Sequence, residues 1–235
     1  MTAHDPKIVI ALDYAQPQEA INFITQLDPS LCRLKVGKEL FTAGGPQLVE
    51  ALIKQKFDVF LDLKFHDIPT TVSKACEAAS RLGVWMLNVH ASGGQAMMEA
   101  AREGVSRSGH HPILIAVTVL TSMNQTMLNQ LGVAGTLEDH VLRLAKLTKT
   151  SGLDGVVCSA QEAKLLRDNF GQNFCLVTPG IRPADASLDD QSRGVTPRQA
   201  LELGSNYLVI GRPITQSKQP LETLQKIHQE VSLSL

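Results

Sequence analysis

The chain has 235 residues, enough for one large core or two small ones. Apolar residues make up 43% and charged residues 19%, and the formal net charge is −1, so charge alone selects neither a nucleic acid nor a membrane surface as partner. No apolar run approaches the roughly 20 residues needed to span a bilayer, and the start MTAHDPKIVI lacks a signal-peptide pattern, so a cytoplasmic protein is expected.

Taken in order, the chain repeats one pattern: a short apolar run, a polar break, then a helical stretch. Lys7–Asp13 (KIVIALD) reads as a strand, with a helix from about Pro17 to Leu27. Leu31–Gly37 is followed by helical residues from about Lys38 to Gln55, and Asp58–Lys64 by about Ile68 to Leu82. Trp85–His90 precedes a helix from about Gly94 to Ser106. Ile113–Leu120 precedes about Leu137 to Thr150, and Asp154–Ser159 precedes about Ala160 to Asn169. Phe174–Pro179 leads through a long loop to about Pro197–Leu203, and Tyr207–Gly211 leads to about Pro220–Val231.

The runs are rich in Val, Ile and Leu and mostly continuous, as strands covered by helices should be. Eight strand–helix units of this length predict an α/β chain folded as a single-domain (β/α)8 TIM barrel over residues 1–235. A doubly wound open sheet is the alternative, but no GxGxxG follows the first strand. In a barrel the catalytic groups belong at the C-terminal ends of strands. Polar residues collect there: Asp13, Lys35, Asp62 with Lys64, Asn88 with His90, Thr121 with Ser122, Arg182 and Arg212.

The stretch DVFLDLKFHDIPTTV, Asp58 to Val72, carries the densest signal. Strand alternation puts Asp62 and Lys64 on one face, and Asp67 falls where a helix would start, with Pro69 in its first turn. Burying ions costs several kcal/mol each unless they are paired. A structural ion pair at a strand end is the plain reading of such charges, and a reactive array is the sharper one.

Two stretches suit a phosphate. TPGIRP places Gly180 and Arg182 after the seventh strand, and VIGRPIT places Gly211 and Arg212 after the eighth. Glycine lets backbone approach an anion and arginine adds a charged fork. The loop Pro183–Thr196 between them is long enough for a lid, from which Gln191 could reach a phosphate. Cys32, Cys76, Cys158 and Cys175 are scattered without a CxxC, so buried free thiols are expected rather than a zinc site. His90 is read as a hydrogen-bonded structural residue. His66 is placed on the strand face opposite Lys64. His110 and His111 read as surface, and Met97, Met98 and Trp85 as packing.

With these residues in view the chain resembles the orotidine 5′-monophosphate decarboxylase family, in its bacterial form. The matching motifs run the length of the chain: LD at Asp13, KVG at Lys35, DLKFHDIPTTV, HASGG at His90–Gly94, VLTS at Val119–Ser122, TPGIRP and VIGRPIT. The resemblance implies decarboxylation of orotidine 5′-monophosphate to uridine 5′-monophosphate, the last step of de novo synthesis, with no metal and no organic cofactor. It implies a catalytic array of Lys35, Asp62, Lys64 and Asp67, with Lys64 as proton donor. Asp67 would be lent by the other subunit of a homodimer, with Thr71 on the same shared segment. Asp13 and Lys35 would meet the ribose, and Thr121 and Ser122 the pyrimidine. Arg182, Gln191, Gly211 and Arg212 would hold the phosphate.

Two other classes fit part of the pattern. A metal-dependent sugar-phosphate decarboxylase or aldol-type synthase on the same D-x-K-x-x-D barrel needs acids for magnesium, and Lys35 stands where that resemblance calls for one. A phosphate-ligand binding protein without catalysis would be expected to show a broken charge array, and this one is intact.

Overall fold

The eight apolar runs become eight parallel strands in a computed structural model that describes residues 5–183 and 195–233. They are β1 (Ile8–Leu12), β2 (Arg33–Gly37), β3 (Val59–Phe65), β4 (Met86–His90), β5 (Ile113–Val117), β6 (Gly155–Val157), β7 (Cys175–Pro179) and β8 (Tyr207–Ile210). Each pairs with the next, and β1 pairs with both β2 and β8, so the sheet closes into a barrel in strict chain order. Ten helices lie between or after the strands among the described residues: α1 (Pro17–Ile24), α2 (Lys38–Lys54), α3 (Pro69–Arg81), α4 (Gln95–Arg107), α5 (Gln125–Gln130), α6 (Leu137–Thr150), α7 (Ala160–Phe170), α8 (Pro197–Glu202), α9 (Arg212–Thr215) and α10 (Pro220–Ser232).

Strand alternation sorts the core into two layers. Ile8, Ile10, Leu12, Leu34, Val36, Leu61, Leu87 and Val89 belong to the layer under the helices. Val9, Ala11, Phe60, Met86, Ile115, Val177 and Val209 fill the barrel itself. One step further along the inward-facing positions stand Asp13, Lys35, Asp62 and Asn88, so the period that packs the core also carries these groups to the barrel mouth. At the opposite end Arg33 closes the floor. Its guanidinium donates to Asp58 and Asp5 at 3.1 and 2.8 Å and to the Pro6 carbonyl, and lies 4.1 Å from the centre of the Trp85 ring. Trp85 is therefore packing, stacked edge-on against Tyr207.

Several expected boundaries shift. The fifth run stops at Val117 rather than Leu120 and the sixth at Val157 rather than Ser159, because the chain leaves the ladder to turn over the rim. Ser159 instead caps α7, its hydroxyl accepting an N–H of the first turn while the Glu162 carboxylate accepts the Ser159 N–H at 2.9 Å. Helix α5, capped by Asn124, and the single turn of α9 were not foreseen. Helix α2 is broken at Gly45, whose φ of +60° only glycine adopts readily, followed by Pro46. The cap of α3 is Ile68, not Asp67, because Pro69 takes the first helical position; the Asp67 carboxylate accepts the Ile68 N–H at 2.7 Å. Met97 and Met98 are buried, and His110 and His111 are exposed. All four cysteines are free. Burial pushes the Cys32, Cys76 and Cys175 thiols up to about 12 and Cys158 upward as well.

Candidate active site

At the C-terminal mouth of the barrel, strands β1, β2 and β3 bring four charges into one line of alternating sign. The Lys35 ammonium lies 3.7 Å from Asp13 Oδ1 and 3.3 Å from Asp62 Oδ2, and the Lys64 ammonium lies 2.6 Å from Asp62 Oδ1. Asp62 and Lys35 are the deep members, with side chains 11% and 12% exposed, while Asp13 at 71% faces solvent. A carboxylate as buried as Asp62 would cost several kcal/mol alone. Two hydrogen bonds on one oxygen, from Lys64 and Asn88 Nδ2, and an ion pair with Lys35 on the other offset that cost. Two ammonium groups stand against Asp62, and no group of three or more His, Cys, Asp or Glu side chains able to hold a metal ion occurs among the described residues.

Lys64 reaches Asp62 by an unexpected route. Pairing of β3 with β4 runs through Leu61↔Leu87 and resumes at Phe65↔Val89, so four steps on β3 face two on β4. Inside this bulge Lys64 has φ +54°, the left-handed region. For a residue with a side chain this costs on the order of 1–3 kcal/mol and persists only where the surroundings hold it. Its N–H donates to Asn88 Oδ1 at 2.8 Å.

Two residues beyond Lys64, His66 falls by plain strand alternation on the Lys64 face, not the opposite one. That ring is exposed at the rim and lies 5.5 Å from the ring of His90, which senses the charges of both Lys64 and Asp62. His66 thus belongs to the site's side of the strand, contrary to expectation. His90 is not hydrogen-bonded through its side chain to any described residue; its contact is the His66 ring. Burial pushes the His90 imidazole below the usual histidine value, helped by His66, Lys38 and Lys64 and opposed by Asp62.

The remaining expected residues divide. Asp67 and Thr71 lie on an exposed segment from the end of β3 into α3, and among the described residues of the one chain Asp67 pairs with no cation. Thr121 and Ser122 follow β5 and line a cleft of about 390 Å³ with Ser159, Glu162, Pro179 and Gly180. Gly180, with φ +79°, and Arg182 follow β7, and the Arg182 N–H bonds the Val195 carbonyl at 3.1 Å. Gly211 and Arg212 follow β8, the neighbouring strand. A Cβ on Gly211 would come 3.7 Å from Asp13 Oδ2, so this loop borders the charge array. Gln191 lies outside the described residues. Glu162, held above the usual carboxylate value by burial, was missed; its S-x-x-E spacing from Ser159 was the available signal.

Comparison with known proteins gives a consistent result. Residues 6–227 match the model of the orotidine 5′-phosphate decarboxylase / HUMPS family. The orotidine 5′-phosphate decarboxylase of Hydrogenovibrio crunogenus is 60% identical over 97% of this chain and 96% of its own, and that of Pseudoalteromonas atlantica is 57% identical over 97% and 99%. Among solved structures, the orotidine 5′-phosphate decarboxylase of Lactobacillus acidophilus superposes with a TM-score of 0.88 at 39% identity, covering 97% of this chain and 99% of that one.

Proposed function

The chain belongs to the orotidine 5′-phosphate decarboxylase / HUMPS family, and from that premise we propose that it converts orotidine 5′-monophosphate to uridine 5′-monophosphate and carbon dioxide as one catalytic domain. The observation that carries the reading is the line Asp13–Lys35–Asp62–Lys64 at the barrel mouth, with Asp62 held by both lysines.

In this reading the C6–carboxylate bond breaks, its electron pair stays on C6, and the Lys64 ammonium donates the proton that gives the product. Neutral Lys64 is then reprotonated from water. Asp62 faces the substrate carboxylate. Two like charges about 4 Å apart repel by roughly 1 kcal/mol in water and about 4 kcal/mol near a protein surface, and that repulsion vanishes as neutral carbon dioxide leaves. The ammonium groups of Lys35 and Lys64, fixed in advance by Asp62, stabilise the charge left on C6.

Asp13 and Lys35 hold the ribose hydroxyls in this reading, and Thr121 and Ser122 meet the pyrimidine beside the cleft. Arg182, Gln191, Gly211 and Arg212 take the phosphate, whose binding energy serves the chemistry at the far end of the substrate. Asp67 and Thr71 complete the site of a second copy in a homodimer. Their exposed segment, with Asp67 paired to no cation among the described residues and Ile68 66% exposed beside it, supports this.

The metal-dependent alternative loses ground on a specific contact. The ammonium of Lys35 sits 3.3 Å from the carboxylate a magnesium ion would need. The assay that tests the reading follows the absorbance of orotidine 5′-monophosphate with the purified chain. Turnover to uridine 5′-monophosphate supports it, and an unchanged spectrum with bound nucleotide would favour a binding protein.

A further inference from the structure

We propose that Asn88 is a positioning residue of this site: its amide holds the β3 bulge that aims Lys64 and at the same time orients the Asp62 carboxylate. The inference rests on the decarboxylase reading above and deepens it.

Asn88 is fully buried on β4, on the inward-facing side. Both ends of its amide are spent on the array. Oδ1 accepts the Lys64 N–H at 2.8 Å, and Nδ2 donates to Asp62 Oδ1 at 2.7 Å. The reversed amide would set N–H against N–H and oxygen against carboxylate, so only one orientation satisfies both partners. Asn88 stands between Leu87 and Val89, the two β4 residues that bracket the bulge. Where the ladder is interrupted, the Asn88 side chain supplies the acceptor that a backbone carbonyl would give in a regular sheet. That contact falls on the one residue of the array with left-handed backbone. Few side chains fit both tasks. Aspartate offers no donor to Asp62 unless protonated, leucine and valine offer neither group, and glutamine is one methylene longer.

The position of Lys64 Nζ is thereby coupled to Asn88 without Asn88 touching substrate. Loss of the amide would free the Lys64 backbone and leave Asp62 Oδ1 with one donor fewer. The phosphate loops after β7 and β8 would be unaffected. Its signature is a loss in turnover with substrate affinity retained.

The test compares wild type, Asn88→Ala and Asn88→Asp in steady-state kinetics, in stoichiometry of uridine 5′-monophosphate binding, and in pH profile. Asn88→Ala should bind product at full stoichiometry and lower kcat by about 100-fold, the scale of a displacement near 1 Å of a reacting group, with KM within about threefold of wild type. Asn88→Asp nearly preserves shape and carries the test if the alanine variant does not fold. The introduced carboxyl keeps the acceptor for Lys64 but sets a second acid against Asp62, in the company of Lys35 on β2, Lys64 on β3, Asp13 beyond β1 and His90 on β4. One proton shared by the two acids restores a donor toward Asp62. The ratio of its kcat to that of wild type should therefore rise as pH falls and drop as pH rises. An alanine variant with wild-type kcat, a loss that tracks lost binding stoichiometry, or an aspartate variant whose profile superimposes on wild type would each overturn the inference. An inactive wild type would instead overturn the decarboxylase reading, and this inference would fall with it.

Discussion

Lys64 Nζ lies 2.6 Å from Asp62 Oδ1 although the backbone at Lys64 has left the extended region, with φ +54°. In a regular strand two such residues share a face with Cα atoms roughly 6.6 Å apart, from a rise of about 3.3 Å per residue. Here the long Lys64 side chain closes that span from a residue inside the β3 bulge. This ion pair is one link of a longer line, because Asp62 also meets Lys35. Replacing Lys35 by alanine should therefore disturb Asp62 as well as the ribose contact, and a kcat loss larger than the KM change is expected in steady-state assays.

Arg212 is expected to act only through phosphate. Arg212→Ala should lower kcat/KM for orotidine 5′-monophosphate by about 10- to 150-fold, the equivalent of roughly 1.5–3 kcal/mol for a hydrogen bond to a charged group. Turnover of orotidine lacking the phosphate should hardly change. Equal losses with both substrates would assign Arg212 a structural role.

Activity should survive a strong chelator. The ammonium groups of Lys35 and Lys64 stand 3.3 and 2.6 Å from Asp62, where they would repel a divalent cation. Turnover lost in chelator and restored by magnesium would favour the metal-dependent synthase reading.

His90 sets a pH dependence of stability. Its folded-state value is lowered, chiefly by burial, below the roughly 6.5 of an unfolded chain. As pH falls through that value the unfolded state takes up the proton first, so stability present above about pH 6.5 is lost on the way down to the folded value. Thermal melting of wild type and His90→Gln from pH 8 to 5 should show the difference constant at high pH and moving against wild type as pH falls. His140 is shifted the same way by burial and Arg143, but it is common to both proteins and cancels.

The shared site is testable by mixing two inactive variants, Lys64→Ala and Asp67→Ala. In a two-fold dimer each chain lends the same patch to the other, so a mixed dimer holds one site with both defects and one with neither. Random mixing after joint refolding should restore roughly a quarter of wild-type activity. Subunit exchange confirmed by mass with no activity restored would place Asp67 within its own site.

Much of this was readable from residue order. Apolar runs marked all eight strands, since parallel strands covered on both faces read as near-continuous apolar stretches, broken in β2 and β3 where polar side chains turn inward. The rim residues followed from barrel geometry, and Asp13, Lys35, Asp62 and Lys64 do meet. Strand ends were less legible, because where β5 and β6 leave the sheet depends on closure of the barrel. The bulge at Lys64 is a property of β3 against β4, which no local pattern encodes. Hence Asn88 shows in the sequence only as a strand-end residue, whereas His66, two residues from Lys64, belongs on the Lys64 face by the same alternation that pairs Lys64 with Asp62. Asp suits a helix cap at position 67, yet Pro69 moves the cap to Ile68.

The most direct measurement is turnover of orotidine 5′-monophosphate in deuterated water by wild type and by Lys64→Ala, with the product examined for deuterium at C6. Wild type should release one carbon dioxide per uridine 5′-monophosphate and place solvent deuterium at C6. Lys64→Ala should be slower by about 10²–10⁴-fold, the usual contribution of a positioned proton donor. No decarboxylation by wild type, or an unimpaired Lys64→Ala enzyme, would contradict the account.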